Sequence, residues 1–255
     1  MSELSLTFLG VGNASAVELG NASAVLEVDG DPSLLIDCGP TVLPVYLDRY
    51  GALPRALFVT HNHFDHIGGL ENLFFRLACD HQSPPLVRLF VPAPIIERLH
   101  ALVADDAFRL AEGGVNFWDC FQLVPVGEHF WWDGLLFDVF AVNHHAYRSA
   151  FGLALESQFV FSGDTRPIPE ALAHYATHGE TVFHDCGLVS NPSHTGLHDV
   201  MTLYSLELRE RLVAYHYESL EAGQQLAASG LCVARPGESF ALSRSEHRDH
   251  LYCVG

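Results

Sequence analysis

Short apolar or alternating runs mark the first part of the chain: Leu4 to Leu9, Ala22 to Val28 and Ser33 to Asp37. Each has the length and spacing of a strand with at least one buried face. A Gly-rich turn, Gly10-Val11-Gly12-Asn13, separates the first two, and the third ends in Asp37-Cys38-Gly39. A helix is expected over Val42 to Tyr50, then a β-branched and aromatic strand, Ala56 to Thr60, that opens onto His61. From Gly68 to Cys79, Leu70, Leu73, Phe74 and Leu77 fall on one helical face. Leu86 to Val91 reads as a buried strand, Ala93 to Ala111 as helix, and Gly113 to Trp132 as irregular and aromatic. Strands are expected from Leu135 to Val142, ending at His144, and from Gln158 to Phe161, ending at Ser162-Gly163-Asp164-Thr165. The last third alternates: helix near Pro169 to Thr177, strand Thr181 to His184, helix Leu197 to Leu206, strand Arg211 to Tyr215, then His216. Ligand-type residues thus recur just past the C-terminal ends of strands, where rigid α/β sheets hold their working loops.

Composition narrows the function. The chain has 255 residues, 49% hydrophobic, ample for a core. No Pro/Ser linker divides it, so one domain over residues 1–242 is expected, with a polar tail, 243–255, that carries no assigned role. There is no run of eighteen apolar residues, and Met1-Ser2-Glu3-Leu4 lacks the basic start of a signal peptide, so no membrane span and a cytoplasmic location are expected. Six cysteines (Cys38, Cys79, Cys120, Cys186, Cys232 and Cys253) form no CxxC pair and read as reduced, mostly buried thiols. Acidic residues outnumber basic ones 31 to 13, and every basic residue is arginine. A net charge of −18 without a basic stripe disfavours a long nucleic acid as substrate.

His61-Asn62-His63-Phe64-Asp65-His66 offers four ligand-type side chains within six residues. Imidazole and carboxylate suit zinc, manganese or iron. Leaving a strand, His61 and His63 share a face, while the turn into the next helix lets Asp65 and His66 project to a second point. One segment is therefore able to serve two metals if other loops complete the sets.

Thr60-His61-Asn62-His63-Phe64-Asp65-His66-Ile67-Gly68-Gly69 resembles the HxHxDH signature of the metallo-β-lactamase superfamily. The likeness runs from Phe8-Leu9-Gly10 to about Leu242, with Asp37-Cys38-Gly39 similar to the family's D-x-G. It implies an α/β fold, an αββα sandwich of two mixed sheets with helices outside. It further implies His61, His63 and His144 on one metal, Asp65, His66 and His216 on the other, and Asp164 between them. His144 is in phase with Val142 whereas His145 faces the other way, which favours His144 as ligand and leaves His145 to line the pocket. Two metals about 3.5–4 Å apart, zinc before manganese or iron, would bring a bridging water towards neutral pKa, with Asp65 as ligand and orienting base.

Val182-Phe183-His184-Asp185-Cys186-Gly187, followed by Ser193-His194-Thr195, resembles the branch containing ribonuclease Z and the small cyclic-phosphate phosphodiesterases, as do Phe8-Leu9-Gly10 and Asn21-Ala22-Ser23. The resemblance implies His194 as general acid supported by Asp185, with His184 and His198 as rivals. Ribonuclease Z's arm for tRNA has no counterpart in Ala146 to Gly152, a short connection whose basic residue is Arg148. A small or cyclic phosphodiester fits better. Arg148 and Arg166 either hold a phosphate or are ion-paired surface arginines; Phe117, Trp118, Phe121, Phe130, Trp131 and Trp132 wall a pocket or stack on a base, or, the reading favoured for most of them, pack a core or dimer interface. Relatives in this branch are often homodimers. The competing readings are a lactonase or other metallo-hydrolase, a di-iron redox or oxygen-sensing protein, and a binding module.

Overall fold

The computed structural model describes residues 2–78, 86–104 and 115–242. Cys79, His81, Cys253, His247, His250, the tail 243–255 and the 105–111 end of the expected helix lie outside the described residues.

The first half of the chain builds one sheet. Its elements are β1 (Leu4–Gly10), β2 (Ser23–Val28), β3 (Asp31–Ile36), α1 (Val42–Tyr50), β4 (Ala56–Phe58), α2 (Phe64–Ile67), α3 (Leu70–Ala78), β5 (Val87–Pro92), α4 (Ile96–Val103), α5 (Phe117–Cys120) and β6 (Phe121–Val126). The second half adds β7 (His129–Trp132), β8 (Leu135–Ala141), β9 (Phe151–Leu155), β10 (Phe159–Phe161), α6 (Pro169–Tyr175), β11 (Thr181–Asp185), α7 (Leu197–Leu203), α8 (Leu206–Arg209), β12 (Leu212–Tyr215), α9 (Leu220–Ala228), β13 (Cys232–Val233) and β14 (Ser239–Leu242). The strand orders are β14-β1-β2-β3-β4-β5-β6 and β13-β12-β11-β10-β9-β8-β7. Both sheets are mixed, antiparallel from β14 to β3 and from β7 to β10, and parallel beyond. Only β14 crosses between halves, pairing Leu4 with Leu242 so that the end of the described chain closes the edge beside β1.

The two sheets meet through aromatic side chains. Phe8 packs on Phe161, Phe183 and Tyr215, with ring centres 5.5–6.3 Å apart, and Phe130 stacks on Phe58, Phe90 and Phe137. Helices cover the sheets with one apolar face each: Val42, Leu43 and Tyr46 of α1, and Leu70, Leu73, Phe74 and Leu77 of α3 are buried. None of the described helices is long and apolar enough to cross a membrane. Cys38, Cys120 and Cys186 are free, buried thiols, and burial pushes Cys38 up to about 12.

Three stretches differ from expectation. Gly113 to Trp132 is regular from Phe117 onward: α5, β6 and β7 carry the chain from the edge of one sheet to the edge of the other. Phe117, Phe121, Phe130 and Trp132 are therefore core, Trp118 is half-buried against it, and Trp131 is exposed. The connection after His145 ends in β9, whose five residues are all buried. An apolar run covered on both sides shows no alternation, which is why it escaped recognition. The expected helix 197–206 breaks at Tyr204, whose hydroxyl is committed to the buried His184, and Ser205 then caps α8.

Candidate metal centre

The site forms where strand ends of both sheets converge. Asp37 follows β3 in a left-handed conformation (φ 59°) and takes Thr60 from the end of β4 by two hydrogen bonds. The backbone N–H of Thr60 donates to Oδ1 (2.8 Å) and its hydroxyl to Oδ2 (2.6 Å). With that proton committed, the same hydroxyl accepts from His61 Nδ1 at 3.0 Å, which turns the lone pair of Nε2 inward. Asp37 Oδ2 also receives His66 Nδ1 at 2.7 Å. The D-x-G glycine permits the approach: a Cβ on Gly39 would run into the carbonyl oxygen of Asp65. From the other sheet, His144 donates Nδ1 to the carbonyl of Ser193 (2.9 Å), and His216, also left-handed at φ 65°, lies with Nδ1 3.5 Å from Asp185 Oδ1. Three histidines thus have Nδ1 hydrogen-bonded outside and Nε2 inside, and His216 turns its Nδ1 towards the Asp185 carboxylate in the same sense.

The inward atoms form two groups sharing Asp164: His61, His63, His144 and Asp164, and Asp65, His66, Asp164 and His216, with ligand atoms of each group within 4.8 Å of one another. In the second group, Nε2 of His66 lies 3.3 Å from Asp164 Oδ2 and 3.4 Å from Asp65 Oδ2. His216 Nε2 stands 3.2 and 3.6 Å from the same atoms. In the first, His144 Nε2 faces His63 Nδ1 at 3.2 Å, while His61 and His144 are 3.6 and 4.0 Å from Asp164 Oδ2. Four N/O ligands at metal-bond length around one tetrahedral ion are about 3.3–3.6 Å apart. His61 Nε2, His66 Nε2, His216 Nε2 and Asp164 Oδ1 are all buried without a hydrogen-bond partner. So many unpaired polar atoms in one buried place are expected of a cation site and not of a core. The residues fit metal ions.

The two groups differ electrostatically. Burial, reinforced by neighbouring imidazoles, pushes His61 far down and lowers His63; burial takes His144 to about 4 against the pull of Asp164. These three are neutral imidazoles, the form a metal binds. Burial opposes charge on His66 and His216 too, but Asp164, helped by Asp37 for one and by Asp185 and Asp65 for the other, raises both, His216 to about 10. Asp164 stays well below the usual carboxylate range despite burial, because His216, His66 and His61 surround it. Protons on His66 and His216 thus balance the carboxylates of the second group, and a metal would displace them.

His194 stands beside the second group. Its Nδ1 donates to Asp185 Oδ2 at 2.7 Å, and its ring stacks on His216 with centres 5.0 Å apart. Burial works against the imidazolium, but Asp185 outweighs it and His194 is raised. Thr165 N–H donates to the same Oδ2 (2.9 Å), which helps keep Asp185 ionised. His184 is fully buried, with Nδ1 on Asp185 O and Nε2 on the Tyr204 hydroxyl, so it has no access to substrate. His198 is exposed on α7. His145 lies outside both groups and lines the adjoining pocket, its Nδ1 3.1 Å from Ser193 Oγ. Arg148 lines that pocket as well, whereas Arg166 Nε bonds the carbonyl of Asn143. Sequence reasoning missed the outer partners Thr60 and the Ser193 carbonyl; Asp37 was visible only as part of D-x-G, without its hold on His66.

Solved structures share this architecture. The metallo-β-lactamase-fold protein YhfI from Bacillus subtilis superposes with a TM-score of 0.73 at 14% identity, over 94% of this chain and 99% of that one. A diphosphatase from the PhnP family gives 0.75 at 18% identity, over 94% and 100%. Among curated proteins, the Anti-Pycsar protein Apyc1 of Paenibacillus harenae is 32% identical over 209 residues, 78% of this chain and 83% of that relative. The family model described as Anti-Pycsar protein Apyc1 matches residues 4–240, and the chain belongs to that family.

Proposed function

We propose that the protein is a metal-dependent phosphodiesterase that hydrolyses a small or cyclic phosphodiester, a cyclic nucleotide among the candidates. The observation that carries this reading is the His194–Asp185 pair, 2.7 Å apart and stacked against His216 at the edge of the double His/Asp group. The fold of the PhnP-family diphosphatase, whose name denotes cleavage at phosphorus, supports it.

His61, His63 and His144 would hold one divalent ion, Asp65, His66 and His216 a second, and Asp164 would touch both; zinc suits this donor set best. Ions held there supply Lewis-acid polarisation of a phosphoryl oxygen and make water more acidic. Asp37 and Asp185 fix the outer nitrogens of His66 and His216, so that ligand geometry is set before substrate arrives. Asp65, ionised and nine-tenths buried, orients the attacking water and accepts from it. His194, the half-exposed member, gives its proton from Nε2 to the departing ester oxygen, and Asp185 stabilises the imidazolium until that transfer. Lactone opening comes second, because the His194–Asp185 pair matches the pattern of the phosphodiesterase branch.

The test is hydrolysis of bis(p-nitrophenyl) phosphate by protein of known metal content, beside His194→Ala. We expect metal-dependent turnover of bis(p-nitrophenyl) phosphate, and in the variant, with metal retained, a fall of about 10²–10⁴-fold on 3′,5′-cyclic AMP, whose alkoxide leaving group needs the proton that p-nitrophenolate does not. A fully loaded wild-type protein without turnover would refute the reading.

A further inference from the structure

Beside the first His group lies a pocket of about 430 Å³, bordered by the motif loop, by Pro94, Ile95 and Arg98 at the start of α4, and by the loop His145–Ser149. Three features of its wall are unaccounted for by metal binding or proton transfer. Asn62, between two of the motif histidines, is 8% exposed. Its Nδ2 donates to the carbonyl of Ile95 at 3.0 Å, but its Oδ1 is buried without a partner. Arg98 and Arg148 also line the pocket, and among the described residues neither has an acidic partner. Among the other described arginines, Arg76, Arg88, Arg166 and Arg209 are bonded to neutral groups of the protein, and Arg49, Arg55 and Arg211 pair with carboxylates. Finally, Tyr147 stands 91% exposed at the rim.

In a chain of net charge −18, two exposed arginines without carboxylates beside one small pocket offer their donors to a ligand that brings acceptors. The buried acceptor of Asn62 in the same wall lacks a donor, and leaving it unpaired costs free energy when the pocket is filled by something apolar. A simple alkyl diester offers acceptors at its phosphate and no donor. A sugar or nucleobase offers hydroxyl or amino donors next to ring and carbonyl acceptors, within a volume of this size. We propose that Asn62, Arg98 and Arg148 determine which diesters are accepted, by holding the nucleoside part of a nucleotide whose phosphate lies at the metal centre. This rests on the phosphodiesterase reading above.

The experiment compares wild type with Arg98→Met and Arg148→Met, at equal metal content, on 3′,5′-cyclic AMP and on methyl p-nitrophenyl phosphate, which has no donor to offer the pocket. Each variant should lose about 10–100-fold in kcat/KM on the cyclic nucleotide, mostly as raised KM, as expected for a hydrogen bond to a charged group. The preference for cyclic AMP over the small diester should fall at least tenfold. A preference that changes less than twofold in both variants, whether both activities drop together or neither does, overturns the proposal. Calorimetric titration of cyclic AMP, in the His194→Ala background to slow turnover, separates the two readings. If wild type cleaves neither diester, the phosphodiesterase reading fails. The pocket then stands if cyclic AMP binds and Arg98→Met weakens it tenfold or more, and falls if binding is absent or equal.

Discussion

Glu27 and Asp164 are both carboxylates with less than a tenth of their surface exposed, and their surroundings differ in kind. Glu27, on β2, is fully provided for by its neighbours. Ser5 and Thr7 hydroxyls donate to Oε2 at 2.7 and 3.0 Å, Tyr50 donates to Oε1 at 2.6 Å, and Arg49 sits 3.5 Å away. Asp164 has one oxygen among imidazoles at 3.2–4.0 Å and the other without a partner. A buried charge must be compensated in both places. Around Glu27 the compensation is internal and serves stability; around Asp164 it comes from protonated His66 and His216 while buried ligand atoms stay unpaired, an arrangement that suits a cation in place of those protons.

The strongest way to break this contrast is Asp164→Asn. It should empty both metal groups and reduce hydrolysis by more than the roughly 100-fold typical of losing an outer partner, with metal content by atomic absorption and fold by circular dichroism as the readouts. Retained metal and activity would show that Asp164 is no more than a buried ion-pair partner.

Next in size is the pH profile. The His194 pKa is raised by Asp185, and a proton donor works only when charged, so activity should decline as pH rises through that raised pKa. Asp185→Asn removes the charge that raises it, and the alkaline limb should move to lower pH with kcat reduced. An unmoved limb would assign the proton to another group.

Asp37→Asn is expected to act more gently, lowering metal affinity about 10–100-fold, because it loosens His66 without removing a ligand. Competition with a chromophoric chelator measures this directly.

The smallest effect on function sharpens the other side of the comparison. Glu27→Gln should cost about 1–3 kcal/mol in urea denaturation, with metal content unaffected. The sign with pH follows from its lowered pKa: although burial pushes Glu27 up, Tyr50, Ser5, Thr7 and Arg49 more than reverse it. Its contribution is therefore full above the unfolded-state carboxylate pKa and lost as pH falls through the folded one, so the two proteins should converge in stability in acid. A constant gap down to low pH would mean that the charge is not what stabilises this corner.

Much of the scaffold was legible because its periodicities are local. The helix Val42–Tyr50 agrees with its apolar spacing to the residue, and β1, β8 and β11 agree to within two. Strands such as β9, buried on both faces, show no alternation to recognise, and β14 is four residues whose partner lies at the other end of the chain. The regular structure of the aromatic run escaped for a related reason, although core packing was the reading favoured for most of its side chains. Phe130 is core only because the chain changes sheets there, and nothing between Gly127 and Trp132 announces that crossing.

Taken alone, the sequence determined the chemistry on offer: His61, His63, Asp65 and His66 within six residues, carboxylates and histidines at strand ends, and a charge unsuited to long nucleic acid. Spacing of that kind is written into neighbouring residues by backbone geometry. Which nitrogens face inward, that Asp164 stands between two groups, that Asp185 serves both His194 and His216, and that His184 is sealed behind Tyr204 were decided by tertiary structure. Those relations join residues up to 155 positions apart, from His61 to His216. They exist only because two sheets, packed through Phe8, Phe161 and Tyr215, bring their strand ends to one place.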